Sequence, residues 1–415
     1  MPAEPAPPAA IRCAVAASTA TRIEEAIEEA AATAAAGLDG PADVAVAFVS
    51  GAYGNAIRPA MEGLADVTGV AATLGVTAES ILAGPTEYEA GPVVAIWLAR
   101  LPAARIVPFS LAHAQTPDGG MFVGWPPEPD GARPDGARPD GAWPDGAWPD
   151  NAGVILLADP FSFPVDAFIR RMEEDHPGVP IVGGMASGGQ TPGSNTLLAG
   201  PRSYDAGAVG FVVGGAARLR PVVSQGCRPI GRPMVITKSE DNVIVELGGR
   251  PALERLREVY GELEPADRQL VRTSLHIGRV ASEYQDRFER GDFLVRNVVG
   301  ADPDSGVIAV GDLVRTGQTI QFHVRDAASA DEDLRALLGR EREAGTAAAG
   351  ALVFSCNGRG TRLFAAADHD ARALQETLGP IPAAGFFAQG EIGPIGRRNC
   401  LHGFTASIAL FEPAG

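Results

Sequence analysis

Short apolar runs closed by glycine, proline or serine alternate along this chain with polar stretches of helical period. Ile11 to Ala17 and DVAVAFVS (Asp43 to Ser50) read as buried strands. Between them, TRIEEAIEEAAATAAAG holds Thr21 and Glu24 at capping-box spacing and Gly37 as a stop, which predicts a helix of about four turns. NAIRPAMEGLAD predicts a short helix kinked at Pro59. From about Pro221 the texture changes. MVITKSEDNVIVELGG predicts a hairpin turning at Glu240-Asp241-Asn242, and RPALERLREVYGEL an amphipathic helix. DFLVRNVVGADPDSGVIAVGDLV predicts a second hairpin, turning between Asp302 and Gly306. QTIQFHVRD alternates, with Ile320, Phe322 and Val324 on one face and Gln321, His323 and Arg325 on the other. That polar face reads either as solvated or as turned towards a ligand. ASADEDLRALLGRE follows as a helix.

Part of this pattern repeats. ILAGPTEYEAGPVVAI (Ile81 to Ile96) and LLAGPRSYDAGAVGFV (Leu197 to Val212) agree at eight of sixteen positions, which predicts an internal repeat. Upstream of each lie an apolar strand, a helix and an apolar stretch with glycine, the second of these stretches being PGVPIVGGMASGG. A fainter third copy runs through GALVFSCNGRG, DHDARALQETLG, PIPAAGFFAQGEIGP and HGFTASIALF. Each unit reads strand, helix, strand, strand. The expectation is an α/β fold of two domains built from mixed sheets flanked by helices. Residues 1–10 are expected as a disordered N-terminus, 11–220 as the first domain and 221–415 as the second. Within the first, residues 126–151 carry GARPDGARPDGAWPDGAWPD, whose proline and glycine density cannot build a core. A disordered surface insertion is expected there, with exposed Trp143 and Trp148 as a handle for a protein partner.

Charge narrows the function. The 415 residues carry a formal net charge of -17, which argues against nucleic acid and anionic membranes as partners, since both need an electropositive face. Cys13, Cys227, Cys356 and Cys400 are far apart with no C-x-x-C pair, so neither a zinc site nor a disulfide framework is indicated. The N-terminus lacks a basic region before an apolar core and is not expected to be a signal peptide. No run of about 18 apolar residues offers a membrane span. A cytoplasmic protein with reduced thiols is expected.

The candidate chemistry gathers at strand ends, where ligands collect in open α/β sheets. GALVFSCNGRG stops an apolar strand at Cys356-Asn357-Gly358-Arg359. The glycines would let backbone N–H groups approach an anionic ligand, and Arg359 offers a bidentate fork to a carboxylate. Alternatively Cys356 is a buried thiol before a turn, or a nucleophile activated by His323, His369 or His402. GEIGPIGRRN packs glycines around Glu391 and places Glu391 and Asn399 towards a ligand amine or amide, or else forms a tight crossover. GGMASGG is the equivalent loop, with Met185 lining it and Ser187 as a donor. Arg296 and Asn297 lie on the second hairpin, where Arg296 can also pair with an acidic neighbour. With His323, Arg325 and His402 these complete the candidate ligand-binding set. No histidine spacing suits a metal, and DHD (Asp368 to Asp370) is expected to cap the helix after it.

RNVVGADPDSGVIAVGDLVRTGQTIQFHVRDA, LVFSCNGRGTRLF and GFFAQGEIGPIGRRNCLHGFTASIALF strongly resemble the C-terminal FIST domain, while GVPIVGGMASGG and the two LAGP blocks resemble the N-terminal FIST domain. The resemblance covers nearly the whole chain and implies a bacterial sensory module that binds a small ligand, with amino acids as candidate ligands. It supplies no catalytic set, and neither a catalytic residue, a cofactor nor a metal is expected. No kinase, cyclase, chemotaxis or F-box segment is recognised beside it, which leaves the protein signalling partner open. Two rival readings are a cysteine-dependent enzyme using Cys356 and a protein-interaction scaffold.

Overall fold

A computed structural model describes residues 10–117, 119–124, 148–285 and 287–414. The expected disordered N-terminus therefore lies almost wholly outside the described residues, as do most of the pentapeptide insertion and Trp143. Trp148 is half-buried and stacks on His176, with ring centroids 4.0 Å apart, so it is not the exposed handle expected.

The chain forms two units. The larger comprises residues 1–223, 337–401 and 406–415, and the smaller 224–336 and 402–405. Unlike a single division near residue 220, the chain leaves the larger unit there and re-enters it at 337. Hydrogen bonding explains the return. Strand Gly350–Cys356 runs parallel to Ala383–Ala388 and antiparallel to Thr405–Pro413, and Ala383–Ala388 in turn pairs with Ile81–Ala83 from the start of the chain.

Three sheets of the larger unit share one plan. In each, a central strand (Val44–Ser50, Gly153–Ala158 or Gly350–Cys356) lies parallel to a second (Ala72–Ala78, Ile181–Met185 or Ala383–Ala388). The central strand also pairs antiparallel with a closing strand, Val94–Arg100, Ala208–Gly215 or Thr405–Pro413. The hairpin after each second strand does not stay in its own sheet. Ile81–Tyr88 joins the third sheet, Leu197–Tyr204 the first, and Glu391–His402 the second. The exchange is cyclic, and each sheet is completed by another segment of the chain.

One apolar core, with Phe48, Trp97, Phe211, Phe354, Phe386 and Phe411 fully buried, draws on all three sheets. Helix Ile23–Ala36 covers the outer face of the first sheet through Ala26, Ala30 and Ala34, and helix Val165–Asp175 covers the second through Phe168 and Met172. The first helix starts after Arg22 with no side-chain cap, so the Thr21–Glu24 box does not form. Residues 51–68 break into a 3-10 turn and two short helices, with a non-helical Gly54 ahead of Pro59.

The smaller unit is a sheet whose ends meet. Strand Cys227–Glu240 pairs with Thr319–Arg325 through its first half and with Val243–Leu247 through its second, with an irregularity between Ile230 and Met234. Ile236, Ile244, Leu247, Ile308, Ile320 and Phe322 fill its core, together with Ala252 and Val259 of helix Ala252–Glu262. The alternation of QTIQFHVRD does not give a solvated face: Gln321 and His323 are buried along with Ile320, Phe322 and Val324. The Gln321 amide donates to the Gly231 carbonyl at 2.9 Å, which meets part of its polar need within the protein.

Candidate functional site

The strand Gly350–Cys356 is apolar until Ser355, and its end is tied off by charge. The Arg359 N–H donates to the Cys356 carbonyl at 2.7 Å, closing a turn over Asn357-Gly358 and sending the Arg359 side chain inward, where it is fully buried. Its Nε and Nη2 donate to the two carboxylate oxygens of Asp370, each at 2.7 Å. Asp370 also accepts from Ser355 Oγ at 2.8 Å and lies 2.9 Å from His369 Nδ1. Phe364 stacks on His369 with centroids 3.3 Å apart, and the guanidinium lies 5.2 Å from its ring.

A buried ion pair offsets its desolvation only when the remaining donors and acceptors are met. Asp370 is met, and although burial works to raise its pKa, Arg359 holds the carboxyl below the usual carboxylate range. Burial likewise works to lower the Arg359 pKa, but Asp370 outweighs it and the net shift is upward. Two buried atoms of this turn are left over: Arg359 Nη1, a donor, and Asn357 Oδ1, an acceptor, have no hydrogen-bond partner among the described residues. The expectation of a free Arg359 fork is thus corrected. Asp370 holds both of the nitrogens that a ligand carboxylate would have bridged.

The exchanged hairpin Ile81–Tyr88 reaches the same place. Glu87 Oε1 accepts from the Ala371 N–H at 3.0 Å, so a residue distant in sequence caps the helix His369–Leu378. Asp368, expected to be that cap, adopts φ 62° and instead accepts from the Glu87 N–H at 2.8 Å. Burial first, and then the neighbouring Asp370 carboxylate, push the Glu87 carboxyl up to about 7. Glu89 accepts from the Thr361 N–H at 2.9 Å and from Thr361 Oγ1 at 2.6 Å.

Beside the turn lies a hollow of about 240 Å³ at the ends of strands Val44–Ser50 and Ala72–Ala78. Ser50, Glu79, Ser187 and Gln190 supply its polar side chains, and Gly51, Gly91 and Gly188 expose backbone. Ser187 Oγ accepts from the Glu79 N–H at 3.0 Å and donates to the Phe387 carbonyl, so one hydroxyl ties together ends from all three strand–helix segments. Glu79 is ion-paired with Arg362, whose Nη1 also donates to the Asn357 carbonyl at 2.9 Å. The Arg362 side chain is 56% exposed and that of Glu79 33%, so a solute can reach this pair, unlike Arg359–Asp370. A larger hollow of about 480 Å³, between strand Gly119–Val123 and helix Val165–Asp175, is lined by none of the residues singled out in the sequence.

Cys356, Asn357, Gly358 and Arg359 share one turn, and Glu391, fully buried, favours the charged form of Arg359. Met185 ends the second strand of the neighbouring sheet and Ser187 follows in the loop, and Met185 N–H donates to the Gly390 carbonyl at 2.8 Å. Asn399 is elsewhere. Its Oδ1 accepts from the Ile181 N–H, and its amide donates to Glu173 and to the Val179 carbonyl, so it locks a strand edge with both of its amide hydrogens committed.

Arg296, Asn297, His323, Arg325 and His402 belong to the smaller unit. Arg296 lies 3.3 Å from Asp312, as the acidic-neighbour reading had it, and Asn297 is exposed. His323 is fully buried, 3.0 Å from the Gln321 carbonyl and edge-on to Phe293, and burial lowers its pKa to about 4. A Cβ at Gly278 would come within 2.3 Å of that ring. Arg325 lies 5.4 Å from the Phe404 ring.

Sequence reasoning missed Glu79, Glu87, Arg362 and Asp370. Asp370 was visible only as part of DHD, and the two glutamates follow an apolar strand and a turn with nothing local to mark them. Among the described residues, no group of three histidine, cysteine, aspartate or glutamate side chains is arranged to hold a metal, and no helix is long and apolar enough to cross a membrane.

Family models match in chain order, the FIST N domain over residues 43–250 and the FIST C domain over 252–394. An uncharacterized protein of Mycobacterium tuberculosis (strain ATCC 25618 / H37Rv) is 43% identical over 342 residues, which cover 82% of this chain and 84% of its own. An uncharacterized protein of Mycobacterium bovis (strain ATCC BAA-935 / AF2122/97) is 45% identical over 343 residues, covering 82% and 83%.

Proposed function

The chain belongs to the FIST family, whose domains are associated with ligand binding in sensory signal transduction, and from that premise we propose that it binds a small zwitterionic metabolite of amino-acid size in the strand-end hollow. The observation that carries this reading is Glu79, which lines the hollow beside hydroxyls, Gln190 and glycine backbone and is ion-paired with the exposed Arg362. A free amino acid presents the same two charges with opposite partners: its carboxylate replaces Glu79 on Arg362, and its ammonium replaces Arg362 on Glu79. The hollow, at about 240 Å³, is below the 300–1,000 Å³ range of drug-sized pockets, which favours a small ligand.

Glu79 and Arg362 come from different strand–helix segments, so exchanging their ion pair for a ligand changes what holds those segments together. That is the change a signalling partner in the cytoplasm would read.

The test is thermal shift and native mass spectrometry against a panel of amino acids. A retained mass or a raised melting temperature is expected for at least one member. Arg362→Gln and Glu79→Gln should each weaken that binding roughly tenfold or more, as loss of a charge-assisted hydrogen bond does. Equal binding by both variants would move the ligand to another site, and no binding by wild type would remove the reading.

A further inference from the structure

We propose that Ser187 is the positioning residue of the hollow: its hydroxyl closes a ring of hydrogen bonds that holds Glu79 in place and makes three segments of the chain open as one unit. Its place in GGMASGG suggests a donor to a ligand, but the geometry leaves it no hydrogen to give. A hydroxyl has one proton and two lone pairs. Here the proton goes to the Phe387 carbonyl, and one lone pair takes the Glu79 N–H at 3.0 Å. Ser50, the other hydroxyl of the hollow, is committed in the same way. It donates to the Gly91 carbonyl at 3.0 Å and accepts from the Ala52 N–H at 3.2 Å.

The ring closes through the third segment. Phe387 N–H donates to the Ser80 carbonyl at 2.9 Å. The path therefore runs from Ser187 to Phe387, from Phe387 to Ser80, along the chain to Glu79 and back to Ser187. Ser187 and Phe387 are both buried. In such surroundings hydrogen bonds in series strengthen one another, and losing one leaves its partners unpaired away from water.

Close packing brings so short a side chain within reach. Gly188 N–H donates to the Thr77 carbonyl at 3.2 Å, and a Cβ at Gly188 would come within 2.7 Å of Thr77 Cβ and 2.9 Å of the Ala78 nitrogen. The loop thus lies flush on the end of strand Ala72–Ala78, one residue short of Glu79. Ser187 fixes the backbone of Glu79, while the Glu79 carboxylate stays free to exchange Arg362 for a ligand's ammonium. In giving Glu79 that partner the inference rests on the ligand reading. The ring does not, and either can fail alone.

The experiment is hydrogen exchange at single-residue resolution on the native full-length protein, with no ligand added. In wild type the Glu79 and Phe387 amides should have protection factors within about threefold of each other, because one opening frees both. This comparison needs no variant. Ser187→Ala should speed both amides at least about tenfold, Phe387 included although its own acceptor on Ser80 is untouched. Ser187→Thr keeps the hydroxyl and should leave both slow. Unrelated rates in wild type, or a Phe387 amide unmoved by Ser187→Ala, would sink the ring. In the amino-acid panel, Ser187→Ala should weaken the retained member about tenfold and add nothing in the Glu79→Gln background, since it acts through Glu79. Additive losses would make Ser187 a direct ligand contact and remove the positioning role. If no amino acid binds, the ligand reading fails and the exchange rates alone decide the ring.

Discussion

Two carboxyls at the start of one helix respond to pH in opposite directions. Folding raises Glu87 from 4.5 to about 7, so the folded protein keeps a proton that the unfolded chain has lost. Its contribution is complete below about pH 4.5 and is lost as pH rises through about 7. Asp370 behaves oppositely. Its depressed carboxyl contributes stability above the usual aspartate pKa, and that contribution is lost in acid. Melting temperature is therefore expected to fall between pH 5.5 and 8 by a few degrees, on the order of what a domain this size shows for 1 kcal/mol. Glu87→Gln, which keeps the acceptor for Ala371 N–H, should flatten that fall; a wild-type melting temperature flat across this window would refute it. Asp370→Asn leaves Arg359 buried and under-compensated, which costs about 3–5 kcal/mol, measurable by urea unfolding.

At the scale of the element, close packing decides where glycine is required. Gly183 and Gly385 occupy the same register position in two sheets, and a Cβ there would meet the carbonyl oxygens of Leu156 and Val353 at 1.8 and 1.7 Å. Backbone of a central strand cannot yield by that amount, so Gly385→Ala should cost more than about 4 kcal/mol, in the exceptional range for one substitution. Gly261, in helix Ala252–Glu262, has nothing within 4 Å of a Cβ, and Gly261→Ala should stabilise by about 0.5 kcal/mol. Similar losses in both variants, read from urea midpoints, would overturn this account. The sequence distinguishes a helix glycine between Tyr260 and Glu262 from a glycine in an apolar run, but not the carbonyl that a Cβ at Gly385 would meet. The central strands were legible, because buried parallel strands read as near-continuous apolar runs. The polar side of QTIQFHVRD misled for a related reason. Alternation marks two faces but does not say that the second is dry, and only the fold places His323 against Phe293.

At the scale of the whole molecule, the sequence carries more of the architecture than of the site. The kinship of Ile81–Ile96 with Leu197–Val212 lies over a hairpin and its closing strand, and each of those hairpins serves a sheet other than its own. Nothing local records that exchange, because a hairpin has the same pattern whichever sheet receives it. The site inherits this difficulty: Glu87, Glu89 and Glu79 reach Asp368, Thr361 and Arg362 only because a hairpin from near the start of the chain completes the last sheet.

The exchange also determines what can fold alone. A fragment ending at residue 220 keeps the central strands of two sheets but loses Glu391–Ile395, which borders Ile181–Met185. It also loses Leu352, Phe354, Phe386 and Phe411 from the common core. Its hairpin Ile81–Tyr88 would have no sheet to join, leaving strand edges unpaired and apolar surface open. Residues 1–220 alone should therefore show no cooperative urea transition and should aggregate. Adding residues 337–415 as a separate chain should restore a cooperative transition. A sharp two-state unfolding of 1–220 by itself would show that the hairpin exchange is dispensable, and that the cluster at the start of helix His369–Leu378 docks onto an already folded body.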